Sequence, residues 1–186
     1  YMLYNFKDDP DDLFVRMWLN LALNEELGIR IWSFPMRYQP TDLPERTYVS
    51  TGWSRYELRS LQIVLQATHG VVSGEPVFFR RAFGESSEEF RAILAMHQHF
   101  IFKPEWYERH GGRAEFDTFQ SAYRRLTPAL RAGLIARLSS RVPSQFAALV
   151  QDEIDPQLKR ILPFYVPIRK DTEREIWKAR SSKSLL

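Results

Sequence analysis

A chain of 186 residues that is 44% apolar, 14% aromatic and 26% charged is sized for one ordinary domain, or a compact domain with an appendage, and is too apolar to be disordered. It has no cysteine, which excludes disulfides, thiolate zinc sites, a cysteine nucleophile and any iron–sulfur cluster held by this chain alone. The net charge of +3 is mild, compatible with anionic ligands or nucleic acid and equally with an ordinary cytosolic surface.

No apolar run approaches a membrane span, and the N-terminus lacks a signal-peptide pattern, so the expectation is a soluble, cytoplasmic protein with no membrane partner. Tyr1 opens directly into the apolar run "YMLYNF", which predicts a chain cut from something longer.

Residues 1–6 read as a strand apolar on both faces, with Asn5 near its carboxyl end. In "DPDD", Asp9 can cap a helix, Pro10 suits the first helical position, and Asp11 and Asp12 favour the positive end of the helix dipole. That helix runs to Gly28, where a left-handed residue can close it. "IRIWSF" follows as a second strand over 29–34. Ile29 and Ile31 would lie on one face and Trp32 and Phe34 on the other, both buried, as in a parallel sheet covered on two sides. Strand, helix and strand make one right-handed βαβ unit. Pro35 would end the second strand.

Residues 39–53 carry two prolines and no period, so they read as a loop. Beyond them nearly every pattern is helical. Ser54 and Glu57 form a capping box ahead of Leu58, Leu61 and Leu65, with Gly70 closing the turn. "PVFFRRAFG" is a short helix ended by Gly84, and Ser86 with Glu89 opens another. "PEWYERHGG" reads as one or two turns. Phe116, Phe119, Tyr123 and Leu126 recur at helical spacing, and Thr127-Pro128 starts a helix carrying Leu130, Leu134 and Leu138. Residues 144–162 and 171–180 read as two more helices separated by "LPFYVP", and the tail "SSKSLL" as frayed. The expected organisation is a βαβ portion over 1–40 and a mainly α-helical extension over 41–186.

The segment "YMLYNFKDDPDDLFVRMWLNLALNEELGIRIWSFPMRY", then "TGW", "LQIVLQATHGVVSG", "FFRRAFG" and "EEF" in that order, resembles the C-terminal part of a family of uncharacterised radical S-adenosylmethionine proteins. The likeness covers the first half of the chain strongly and the rest weakly. In such enzymes a partial (β/α) barrel of TIM type carries a CxxxCxxC loop whose iron–sulfur cluster reduces bound S-adenosylmethionine to a 5′-deoxyadenosyl radical. This chain departs from that pattern by having no cysteine. The resemblance therefore implies the end of the barrel plus a helical extension, inert alone, with the cluster supplied by a missing N-terminal barrel half or a partner subunit. It leaves the substrate open.

The same resemblance implies a site. In α/β barrels and open parallel sheets, ligands sit beyond the carboxyl ends of the strands, where Asn5 and Pro35–Tyr38 fall. A zwitterionic adenosyl sulfonium needs an aromatic or thioether wall, a partner for its ribose and a cation for its carboxylate. Tyr38 with Met36, Asn5, and Arg37 would fill those roles. The competing interpretation is that Pro35 ends the strand, Met36 packs and Arg37 is solvated.

Three other groups invite chemistry. His97 and His99, with His110 beyond, have an HxH spacing, but no nearby carboxylate completes a ligand set, and a loop accounts for the motif better. Asp8, Asp9, Asp11 and Asp12 are explained by helix capping more simply than by a divalent metal. Arg80, Arg81, Arg124, Arg125, Arg131, Arg137 and Arg141 could form a basic face for nucleic acid, but interspersed acids dilute it. A helical nucleic-acid-binding or protein-interaction module is accordingly the alternative function. No GxSxG, P-loop or GxGxxG occurs.

Overall fold

Asp9 is extended and takes the free amides of Asp11 and Asp12 on one carboxylate oxygen, at 2.8 and 3.0 Å, while Asp12 returns a bond to the Asp9 amide at 3.2 Å. This reciprocal box launches α1 (Pro10–Leu27), which Gly28 closes at φ +62°, as the sequence predicts. The computed structural model in which this is seen describes residues 1–43, 45–72, 74–102 and 113–167; for His99, Phe102, Arg113 and Phe116 it describes the backbone only. The expected helix over 171–180, the turn at "PEWYERHGG", the tail and His110 lie outside the described residues. The chain divides into two compact units, Tyr1–Met96 and His97–Leu186. The expected boundary near residue 40 does not coincide with this division, because α1 packs against later helices of the first unit.

That unit holds β1 (Met2–Tyr4), α1, β2 (Pro35–Arg37), α2 (Arg55–Ala67), α3 (Pro76–Phe83) and α4 (Ser87–Ala95). The two strands are parallel, with Met2 opposite Pro35, Leu3 opposite Met36 and Tyr4 opposite Arg37. Strand, helix and parallel strand therefore form as expected, but the second strand lies further along the chain than 29–34. The cause is competition for backbone groups. The Asn24 amide on α1 takes the N–H and C=O of Ile31 at 2.6 and 2.9 Å, and Ser33 exchanges two bonds with Val72. Pairing with β1 begins only at the Phe34 carbonyl and continues through Tyr38, so Pro35 sits inside the strand. A proline is tolerated there because an edge position needs no N–H on its outer side.

A second departure concerns burial. Ile29, Ile31, Trp32 and Phe34 are all exposed, by 43%, 37%, 55% and 43%. Strand alternation places Trp32, Phe34 and Met36 on one face, together with Tyr1 and Leu3 of the neighbouring strand. None of these five is covered. The opposite face carries Tyr4, buried against Trp53, and is the one α1 covers.

Beneath α1 the core is aromatic. Phe14, Phe79, Phe83 and Phe90 form a chain of ring contacts between 5.3 and 6.3 Å, with Leu13, Met17 and Leu94 fully buried. Ser54–Glu57 caps α2 reciprocally and Ser86 caps α4, as read from the sequence. Glu75 caps α3 through both carboxylate oxygens.

The second unit holds α5 (Gln98–Phe102), α6 (Arg113–Arg124), α7 (Pro128–Ser139), a 3-10 turn (Pro143–Gln145), α8 (Phe146–Asp152), α9 (Pro156–Ile161) and a 3-10 turn (Leu162–Tyr165). One continuous helix over 144–162 does not form. Pro156 cannot continue the ladder, and Glu153 turns back to accept from the amides of Ile154 and Asp155 at 3.1 and 2.9 Å. Asp155 then caps α9. Phe119, Leu134, Leu138, Leu158 and Ile161 form the buried core. Beyond residue 54 the described residues contain no multi-stranded sheet, as the helical periodicity predicts.

Candidate ligand site at the carboxyl ends of the strands

Asn5 ends β1 in the left-handed region, at φ +66°, a conformation its short polar side chain tolerates. It is fully buried. Its Nδ2 donates to the carbonyls of Tyr38 and Tyr48 at 3.2 and 3.1 Å, and its Oδ1 accepts from the Ser50 amide at 2.8 Å. Those bonds use both amide donors and one acceptor site. Asn5 therefore ties the strand ends to the 48–50 segment.

Arg37 shares that anchor. Its Nη2 donates to the Tyr48 carbonyl at 2.9 Å, and it is half-buried rather than solvated. Burial raises the pKa of the neighbouring Tyr4 phenol, and the Arg37 charge opposes that rise. The Arg37 Nε is buried with no partner among the described residues, as are Gln39 Oε1 and Ser50 Oγ. The loop reaches this position because Gly52 lies against the Asp8 backbone; a Cβ there would come within 2.3 Å of the Asp8 carbonyl oxygen.

Met36 and Arg37 point to opposite faces of the sheet. Met36 is exposed on the open apolar face, opposite Leu3. The bond from the Tyr38 amide to the Tyr4 carbonyl carries the strand alternation one residue further, which puts Tyr38 on the side of Met36. The Tyr38 ring meets Phe6 edge-on at 4.7 Å and Tyr48 at 5.8 Å. The four residues singled out from the sequence thus share one end of the sheet but divide into two pairs. Met36 and Tyr38 are an apolar wall; Asn5 and Arg37 are the framework of the loop. Tyr48 and Ser50, which complete that framework, carry no local signal in the sequence.

The remaining candidates are placed as follows. His97 Nδ1 accepts from the Phe100 amide at 3.2 Å, so the ring opens α5, and its Nε2 lies 4.0 Å from Glu115. Its ring lies against Phe100, Phe119 and Phe164. Asp8 pairs with Arg16 and accepts from the Phe6 amide and the Trp53 indole. Asp11 and Asp9 receive Arg91 from α4, with Glu57 at 3.8 Å. These acids are helix caps and ion-pair partners. The arginines fall in different compact units, and Arg137 is engaged by the buried Glu153 at 2.7 Å.

Comparison with family models, curated proteins and solved structures gave no match. What the fold defines is a class: a mainly helical protein carrying a two-stranded parallel sheet with one apolar face uncovered. Among the described residues no helix is long and apolar enough to cross a membrane.

Proposed function

We propose that the chain is the C-terminal part of a radical S-adenosylmethionine enzyme, supplying the last strands of its partial barrel and one wall of its adenosyl cleft. The observation that carries this reading is the uncovered apolar face of Tyr1, Leu3, Trp32, Phe34 and Met36, opposite the face that α1 covers. In an α/β barrel the helices lie outside and the strands' other face fills the interior with apolar side chains, so such a face is expected. A parallel pair of three-residue strands with one bare face is otherwise a poor independent structure. Val15 and Leu19, one turn apart on α1 and both exposed, suit contact with a neighbouring helix.

Met36 and Tyr38 fit an adenosyl group, offering a polarisable thioether and a phenol ring at the strand ends. The composition does not fit the iron–sulfur cluster, which requires thiolates from the other half of the enzyme. Asn5 and Arg37 hold the loop that bounds the cleft.

The test is S-adenosylmethionine affinity in the whole enzyme, with the cluster-binding half present. Tyr38→Ala should weaken binding several-fold, since an aromatic contact contributes about 0.5–1.5 kcal/mol. Arg37→Ala should act mainly on melting temperature, because the bond to Tyr48 contributes about 0.5–1.5 kcal/mol. Unchanged affinity in folded Tyr38→Ala and Met36→Ser variants would sink the proposal.

A further inference from the structure

The segment tied to the strand ends is fastened at few points. Residues 45–50 make no main-chain bond to either strand among the described residues. Two side chains hold them instead. Asn5 Nδ2 and Arg37 Nη2 both donate to the Tyr48 carbonyl, at 3.1 and 2.9 Å, and Asn5 Oδ1 accepts from the Ser50 amide at 2.8 Å. The Tyr48 ring adds an edge-on contact with Tyr38. Beyond Ser50 the chain is fixed, because Gly52 lies against Asp8 and the Trp53 indole donates to the Asp8 carboxylate at 3.1 Å. At the other end Arg46 sits at φ +51°, a left-handed conformation unfavourable for a residue with a Cβ.

Holding this segment down leaves polar groups unserved. Arg37 Nε, Gln39 Oε1 and Ser50 Oγ are buried with no partner among the described residues. A buried donor or acceptor left unpaired costs more than an ordinary bond returns, because the same group would be bonded to water in the open. Arg37 shows the imbalance best. Arg16, Arg91 and Arg137, half-buried like it, each meet a carboxylate, whereas Arg37 meets only the Tyr48 carbonyl among the described residues. Three bonds draw the segment onto the strand ends, and three unpaired atoms, one of them on a cation, oppose them. The neighbouring Tyr38 amide has no such opposition: it bonds the Tyr4 carbonyl at 2.8 Å, in line with the sheet.

We infer that residues 46–50 form a strap, anchored at Gly52, that lifts off the strand ends while the strands and helices of the first unit stay folded. Lifting breaks the three bonds and gives Arg37, Gln39 and Ser50 to water. It also uncovers the Asn5 amide and the Arg37 guanidinium at the carboxyl ends of the strands. The use of such a strap, admitting a ligand, rests on the cleft proposed above, whose rim this segment forms. The lifting itself rests only on the bonds made and the atoms left unpaired.

Amide hydrogen exchange in the intact protein, followed at rising but sub-denaturing urea, tests this. The amide at position 50 should exchange about a hundredfold or more faster than that of Tyr38, each relative to its unstructured rate. Its rate should be nearly independent of urea, since lifting a strap exposes little surface. Ser50→Ala should slow exchange at position 50 by about fivefold or more, because the closed strap then buries one unpaired group fewer. Exchange at position 50 that matches Tyr38 in rate and in urea dependence overturns the inference, since segment and sheet then open together. Unchanged or faster exchange in Ser50→Ala overturns it too, since the hydroxyl is then served in the closed form. A fast amide at position 50 in a protein that fails to bind S-adenosylmethionine would leave the strap standing and remove the enzyme reading; binding with that amide as slow as Tyr38 would do the reverse.

Discussion

The two units differ in how they treat large apolar side chains. In the second, Phe119, Tyr123, Leu134, Leu138, Phe146 and Leu158 are buried, and among its described residues Val142 and Ile154 are the exposed large ones. In the first, a core just as dry around Phe79, Phe83 and Phe90 coexists with a run of exposed ones from Tyr1 to Met36. Both units have enough apolar residues to bury. What differs is the layer: helices alone can close a core on themselves, whereas a parallel sheet needs cover on both faces. The first unit covers one.

The largest effect should come from the finished side of that contrast. Phe90→Ala removes a ring that is 0% exposed and meets Phe14 and Phe83 at 5.8 and 6.3 Å. Urea unfolding should show a loss of about 3–5 kcal/mol, the usual cost of emptying such a site. A loss below about 1 kcal/mol would mean the aromatic core is loosely packed and the contrast between the two faces is not real.

That core, and the helices around it, were largely legible in the sequence. Asp9, Ser54, Ser86 and Thr127 each cap a helix where they were expected to, because a cap is decided within three residues of itself. The parallel βαβ order was legible for the same local reason. The register was not. It depends on Asn24 reaching seven residues along the chain to occupy Ile31, a choice invisible to a period-two pattern. The candidate site shows the same split. Its place at the strand ends could be read from Asn5 and the Pro35–Tyr38 stretch. The bonds from Asn5 to Tyr48 and Ser50 span more than forty residues, and the Arg91 clamp on Asp11 spans eighty. Neither has a local signature.

The Asn24 contact with Ile31 offers the next test, with an intermediate effect. Asn24→Ala removes the acceptor of the Ile31 amide and the nearer donor to its carbonyl, which keeps Asn20 Nδ2 at 3.3 Å, and it deletes a buried amide. A loss of about 1–3 kcal/mol is expected for the groups left unpaired, read as a shift in the urea midpoint. Asn24→Asp should lose much of the same, since a carboxylate cannot donate to the Ile31 carbonyl. If both variants match the parent, Asn20 and water satisfy Ile31 equally well, and Asn24 does not set where the second strand begins.

The smallest effect is the most informative about the uncovered face. Trp32 is 55% exposed on it. In the chain studied alone, Trp32→Ser should change stability by no more than about 0.5 kcal/mol, as for other surface positions. In the protein as isolated from its native source, where the proposed barrel covers the face, the same substitution should cost about 3–5 kcal/mol, as for a buried tryptophan. The difference between the two measurements is the quantity of interest, because it cancels whatever Trp32 does within this chain. A value near zero in both would mean the face looks into solvent in the native protein. A large loss in both would place Trp32 in a contact of the chain with itself. Only a small loss in one and a large loss in the other fits a face that is covered by something beyond these residues.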